Sequence, residues 1–250
     1  MSKYSYDLVF QPIVKLDPTS GYSIKSHEIL SRFVKEDTQQ KIIALERSGD
    51  IINFDLDLVA RVLARNDLKN TPLSINISNT SVNDTVFLSK FEDIISHLLP
   101  ENVDFEITET AEPKIDNVRR FIDICHRQNI KVGLDDYGSG YANLALVQSA
   151  NFDFVKVDGS LIRTFESSPV SRARVMQAVY HCTSKGMPIT AEFVGNLHLM
   201  SQLHSIGVSN GQGSLFGMPT PEPQTALRVR QNMVRYSHKH DQPKINDCGI

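Results

Sequence analysis

Short apolar runs with strand character alternate with helical periodicity along almost the whole chain, and this rhythm restricts the fold more than any other feature. Strands are expected over residues 6–16, 22–33, 73–78, 103–109, 131–136, 152–158 and 188–194, with a last short strand or turn within 208–215. Apolar spacings of three and four predict helices over 40–48, 54–68, 85–99, 117–128, 142–148, 171–185 and 197–206, and a final one over 223–236. Such alternation calls for parallel strands joined by crossover helices, in an open doubly wound sheet or a closed barrel. The first two strands are an exception. Asp17-Pro-Thr-Ser-Gly21 between them is a turn by composition and too short for a crossover, so they should form an antiparallel hairpin.

A chain of 250 residues could form two small domains or one large one, and an α/β barrel uses about this length as a single domain. With 40% hydrophobic and 22% charged residues it can bury a substantial core. A formal net charge of −3 argues against bulk nucleic-acid binding, which needs a basic face. No apolar run is long enough to span a bilayer, and the N-terminus lacks the apolar core of a signal peptide. Cys125, Cys182 and Cys248 are an odd number at wide spacing, which fits neither a disulfide framework nor a zinc site and points to a reducing cytoplasm. No Gly-x-Gly-x-x-Gly follows the first strand and no Walker-type loop occurs, which weakens dinucleotide and NTPase readings. The barrel domain is expected over residues 1–236. Residues 237–250 are polar and unpatterned and read as a tail, whose two histidines are more simply solvated than metal-bound.

The chemistry gathers at the C-terminal ends of the expected strands. The second carries Glu28, the third Asn76, the fourth Glu106 and Glu109, and the fifth Asp135 and Asp136. Lys156 and Asp158 follow on the sixth, Glu192 on the seventh and Gln212 on the last. In an α/β barrel these ends converge on one face. Asp135 and Asp136 precede Tyr137-Gly-Ser-Gly-Tyr141, a glycine-bracketed turn. That stretch alone is also an ordinary solvated turn. At a strand end, however, both acids can reach one point, where they repel unless a cation lies between them. Glu106 inside Phe-Glu-Ile-Thr must be paired or metal-bound. Carboxylates with one amide oxygen, and no His or Cys, suit Mg²⁺ or Mn²⁺, and the number of acids is enough for two ions. Two-metal sites recur in phosphoester cleavage. Lys156 either holds or polarises a nucleophilic water or makes a structural salt bridge.

Together, Glu28-Ile-Leu-Ser-Arg32, Asn76, Phe105-Glu-Ile-Thr-Glu109, Leu134-Asp-Asp-Tyr-Gly-Ser-Gly-Tyr141, Val155-Lys-Val-Asp158, Ala191-Glu192 and Gln212-Gly-Ser-Leu-Phe-Gly217 resemble the EAL domain family of cyclic di-GMP phosphodiesterases. The resemblance implies a TIM-like (β/α)8 barrel with one antiparallel strand and hydrolysis of cyclic di-GMP to linear pGpG by a two-metal mechanism. It implies that Glu28, Asn76, Glu106 and Asp135 hold one ion, and that Asp136 and Glu192 serve the second, with Asp135 bridging. Lys156 would act on the nucleophilic water and be held by Asp158. Glu109 would anchor the loop at 136–141, which couples metal binding to formation of a homodimer. Gln11, Leu30 and Arg32 would grip guanine and phosphate, with Gln212 lining the site.

The chain departs from the family pattern in places. The middle Ala of the name-giving triplet is Ile29, and Ala191-Glu-Phe-Val-Gly-Asn196 stands where Ala-Glu-Gly-Val-Glu-Thr is usual. Phe193 thus replaces a glycine beside a metal residue, Gly195 removes an acid, and Ser214 replaces a tyrosine. The complete acid set favours an active phosphodiesterase. The altered segment favours a catalytically weak domain that binds cyclic di-GMP or a protein partner as a regulator. A barrel enzyme acting on another phosphorylated metabolite is the third reading.

Overall fold

The computed structural model describes residues 3–16, 22–98, 102–108, 110–140 and 144–240, the side chains through residue 235. Eight strands close into one barrel in chain order: β1 (Tyr6–Lys15), β2 (Ser23–Phe33), β3 (Leu73–Ser78), β4 (Val103–Thr108), β5 (Val132–Tyr137), β6 (Phe154–Val157), β7 (Ile189–Ala191) and β8 (Asn210–Gly211). β1 runs antiparallel to both its neighbours, β2 and β8, and every other pair is parallel. The hairpin and the (β/α)8 barrel with one reversed strand are therefore both present. The turn at 17–21 lies outside the described residues.

Helices wrap the barrel. They are α1 (Thr38–Ser48), α2 (Ile51–Leu63), α3 (Asn79–Val82), α4 (Thr85–Leu98), α5 (Ile115–His126), α6 (Leu144–Ser149), α7 (Gly159–Arg163), α8 (Pro169–Ser184), α9 (Leu197–Ser205) and α10 (Ala226–His240). Their starts follow from local chemistry. Asp37, Ser168 and Asn196 each accept a hydrogen bond from a backbone N–H in the first turn of α1, α8 and α9, and Pro169 at the start of α8 has no N–H to leave unpaired. Gly49, left-handed at φ 73°, ends α1. One helix was expected over 54–68. Instead α2 ends at Leu63 and a separate 3-10 turn covers Asn66–Leu68, because the chain leaves helical geometry at the extended Arg65.

Two short helices, α3 and α7, were not anticipated. Each starts directly after a strand, capped by the residue that leaves it, Ser78 or Asp158. The last helix reaches His240, into the range read as tail, and 241–250 lie outside the described residues.

Apolar strand residues facing outward meet the helices in one continuous core, which includes a ring cluster of Phe87, Phe91, Phe105 and Phe121. The barrel interior is different. Toward the N-terminal ends it is filled by the Phe154 ring, which lies against Gly133 so closely that a methyl group there would come within 2.1 Å of it. Lys25 stands over the same ring, 4.4 Å from its centre. Above this plug the inward residues are polar.

Candidate metal centre

At the C-terminal mouth the parallel registers align Glu28 with Ser74, Asn76 with Glu106, Glu106 with Gly133, and Lys156 with Thr190. Inward positions on neighbouring strands therefore sit side by side, and five strands deliver polar groups to one point. Its centre is the Lys156 ammonium, fully buried. Four carboxylates surround it: Glu106 at 2.9 Å, Glu192 at 3.0 Å, Asp135 at 3.1 Å and Glu28 at 3.3 Å. The ammonium is shared among all four. Further partners fix Glu28: Asn76 Nδ2 donates to its Oε1 and Gln212 Nε2 to its Oε2, each at 2.6 Å. Gln212 Nε2 also reaches Gln11 Oε1 at 3.2 Å, and Gln11 Nε2 donates to the Gly217 carbonyl.

Asp135 and Asp136 reach the same mouth because the strand breaks its own alternation. The β5–β6 register shifts between Leu134 and Tyr137, and Asp136 takes a left-handed backbone at φ 56°. A bulge of this kind re-aims a side chain, and Asp is among the few non-glycine residues that visit this region readily. Gly138 follows at φ 98°, with Leu161 packed where a side chain would project. The Asp136 carbonyl then accepts from both the N–H and the hydroxyl of Ser139.

Four acids around one ammonium leave the cluster with surplus negative charge, and the titration of each group reflects it. Burial pushes Glu106 up to about 7, reinforced by Glu28 and Asp135 and opposed by Lys156. Asp136 is also raised to about 7, by burial and then by Asp135. Burial raises Asp135, and it lifts Glu192 well above the carboxylate range. For Glu28, burial is outweighed by Lys156 and the hydrogen bonds from Gln212 and Asn76, so its pKa falls. Lys156 moves the other way: burial disfavours its charge, but the four acids overcome that and hold it protonated well above its ordinary range.

The donor set fits hard divalent cations. Glu28, Glu106 and Asp135 form one triad and Asp135, Asp136 and Glu192 another, each with one oxygen per residue within 4.8 Å of the others. Asp135 belongs to both. The buried amide oxygens of Asn76 and Gln212 and Oε1 of Glu106 lack a hydrogen-bond donor, which is how ligand atoms look when the protein itself does not satisfy them.

Other expected site residues are placed differently. Asp158 was expected to hold Lys156, but it is not among the acids around that ammonium. Its carboxylate turns back to cap α7, accepting from the N–H and hydroxyl of Ser160, because a helix starting there needs its first N–H groups satisfied. Leu30 and Arg32 line a cleft of about 290 Å³ beside β2 and β3, which Asn76 and Thr108 also border. Arg32 is exposed and donates to its neighbour's carbonyl, Ser31 O, at 2.9 Å. Glu109 lies outside the described residues. β7 ends at Ala191, so Glu192 stands just past the strand rather than inside it, and Phe193 turns left-handed at φ 52°. Gly195 is open: a methyl there would meet nothing nearer than 3.9 Å. The chain uses glycine at 195 without a packing need for it.

The EAL domain family model matches residues 2–219. The chain belongs to the EAL domain family. Among curated relatives, a cyclic di-GMP phosphodiesterase named PdeA from Borreliella burgdorferi is 30% identical over 151 residues, covering 59% of this chain and 22% of that protein. The blue light- and temperature-regulated antirepressor BluF of Escherichia coli is 29% identical over 217 residues, covering 83% of this chain and 52% of BluF. A Klebsiella pneumoniae BlrP1 structure, a complex with calcium and cyclic di-GMP, superposes with a TM-score of 0.72 at 27% identity, over 86% of this chain and 55% of that one. The chain thus spans about a fifth of the PdeA relative and about half of BluF and BlrP1. Among the described residues no helix is long and apolar enough to cross a membrane.

Proposed function

We propose that this EAL domain hydrolyses one phosphodiester of cyclic di-GMP to give linear pGpG, using two divalent cations, Mg²⁺ or Mn²⁺. The observation that carries the reading is the pair of acid triads sharing Asp135. Glu28, Asn76, Glu106 and Asp135 would hold one ion, and Asp135, Asp136 and Glu192 the other. Bound there, the ions would supply Lewis-acid polarisation of the phosphoester and activation of the attacking water.

The side chains set the conditions. Asn76 and Gln212 fix the Glu28 carboxylate from two sides, so it enters the site already oriented. Lys156, within 3.3 Å of four acids, would orient and polarise water as a cation. Leu30 and Arg32 would take up guanine and phosphate at the cleft beside β2, where a guanidinium can pair with phosphate at two points. Gln11 reaches the site through Gln212. Glu109 is assigned to the loop at 136–141 on the family resemblance. A cytoplasmic homodimer completes the reading, and sedimentation equilibrium with and without metal tests the dimer.

BluF resembles more of this chain than PdeA does, 83% against 59%, and Gly195 lacks the expected carboxylate. These two facts favour a second reading, a domain that binds cyclic di-GMP or a protein and regulates without turnover. The separating experiment follows pGpG release with Mg²⁺ and with Mn²⁺, beside Glu28→Ala. Metal-dependent product that vanishes in the variant supports the enzyme. Arg32-dependent binding with no product would replace it with the regulator.

A further inference from the structure

Phe154 is buried, yet it stands apart from the apolar core that the helices share. It and Lys156 lie on the inward face of β6, so its ring sits one layer below the ammonium. The registers put Glu106, Gly133 and Phe154 in one row across β4, β5 and β6. The ring takes the space that a side chain at Gly133 would need, and from the same row Glu106 reaches Lys156 at 2.9 Å. The ring is therefore the floor of the acid cluster.

A second amine meets that floor. Lys25 comes three residues before Glu28 on β2, toward the N-terminal end of the barrel, and its Nζ stands 4.4 Å from the centre of the Phe154 ring, a cation–π contact. Burial lowers the pKa of this amine, while Asp104 and then Glu106 pull it back up, so Lys25 feels the cluster. It does not join it: among the described residues, the ion pairs of Glu28, Glu106, Asp135 and Glu192 run to Lys156. Glu106 Oε1 lacks a donor, so a second ammonium that reached it would find a free acceptor. Paired there, Lys25 would occupy a ligand oxygen and cancel one unit of the surplus negative charge that draws a divalent cation, a large change inside a protein of low dielectric. We propose that Phe154 is an insulating plug, a positioning residue that keeps Lys25 from the acid cluster and so preserves the Glu106 carboxylate for metal. This inference rests on the reading of the cluster as a metal site.

The test titrates the metal-free protein with Mn²⁺ by calorimetry and measures the urea stability of each variant without metal. Phe154→Ala should weaken Mn²⁺ binding about 10- to 100-fold, the usual effect of disturbing the surroundings of metal ligands. Lys25→Met alone should stay within about twofold of wild type, because the ring already separates the two groups. In the double variant Kd should return to within about twofold of wild type, while urea stability stays low. That recovery separates insulation from packing, since removing a lysine does not refill the cavity left by a ring. Phe154→Leu keeps more of the volume and carries the same comparison if the alanine variant does not fold; its weakening should be smaller and likewise reversed by Lys25→Met. Unchanged Kd on loss of the ring, or a weakening that Lys25→Met does not reverse, would overturn the plug and leave the metal site standing. Wild type that binds no Mn²⁺ would overturn the reading of the cluster and the plug with it.

Discussion

Lys156 shows how a single residue sets the character of this site. With no solvent exposure and four carboxylates within 3.3 Å, it is the only cation the protein itself supplies at their centre among the described residues. Replacing it with Met should lower the stability of the metal-free protein by about 3–5 kcal/mol, as when one partner of a buried ion pair is removed. Urea denaturation measures the loss, and added Mn²⁺ should recover more stability in the variant than in wild type. Another buried acid lies outside the ring around Lys156. Asp55 on α2 accepts from the Ser78 N–H and the Ser81 hydroxyl, and burial lifts it from 3.8 to about 7, against those bonds and with a smaller push from Glu46. Between those values the native state keeps a proton that the unfolded chain has lost. The resulting stability is complete below the unfolded pKa and is lost as pH rises through about 7. Wild type should therefore lose up to about 4 kcal/mol relative to Asp55→Asn across that window, read from urea midpoints at successive pH values.

Among the elements, β5 and β6 fit closely. The Phe154 ring closes the barrel floor only because Gly133, its partner in the β5–β6 register, has no side chain. Gly133→Ala should destabilise the domain by roughly 1–3 kcal/mol through overpacking, seen as a lower thermal midpoint with the far-UV spectrum retained. The strand boundaries show what pattern reading can and cannot find. Residues 73–78 were expected as a strand and form one, since an apolar run between Pro72 and the polar Ser78-Asn-Thr-Ser81 has few alternatives. β7 was expected over 188–194 but pairs only over Ile189–Ala191. Nothing in Glu-Phe-Val announces a left-handed residue at Phe193, because the space its ring occupies is provided by Gly159, far away in sequence. The α3 and α7 helices were missed for a related reason: four and five residues are too short to display a helical period.

For the molecule as a whole, barrel closure places acids from β2, β4, β5 and the end of β7 around one lysine from β6. On the function proposed above, their mutual repulsion favours a divalent cation between them, and binding should feed back on stability. At a hundredfold excess of free Mn²⁺ over its Kd, the native state should gain about 2.7 kcal/mol. The gain should be largely absent in Asp135→Asn, whose carboxylate both triads share. Calorimetry of the two proteins with and without Mn²⁺ measures the difference.

The sequence alone determined the alternating α/β architecture, the reversed first strand and which residue types collect at strand ends, because periodicity, turn composition and carboxylates in apolar runs are local signals. It also determined membership of the EAL family, through motifs that keep their order from Glu28 to Gly217. Only the tertiary structure decided that Lys156 lies inside a ring of four acids while Asp158 turns away to cap a helix, since both depend on strand register and on where backbone N–H groups are left unpaired. It likewise decided that Asp135 and Asp136 share a mouth through a bulge and a left-handed backbone, and that Phe154 packs on Gly133 with Lys25 on its face. Those relations join residues distant in the chain, and their energies exist only once the barrel has closed.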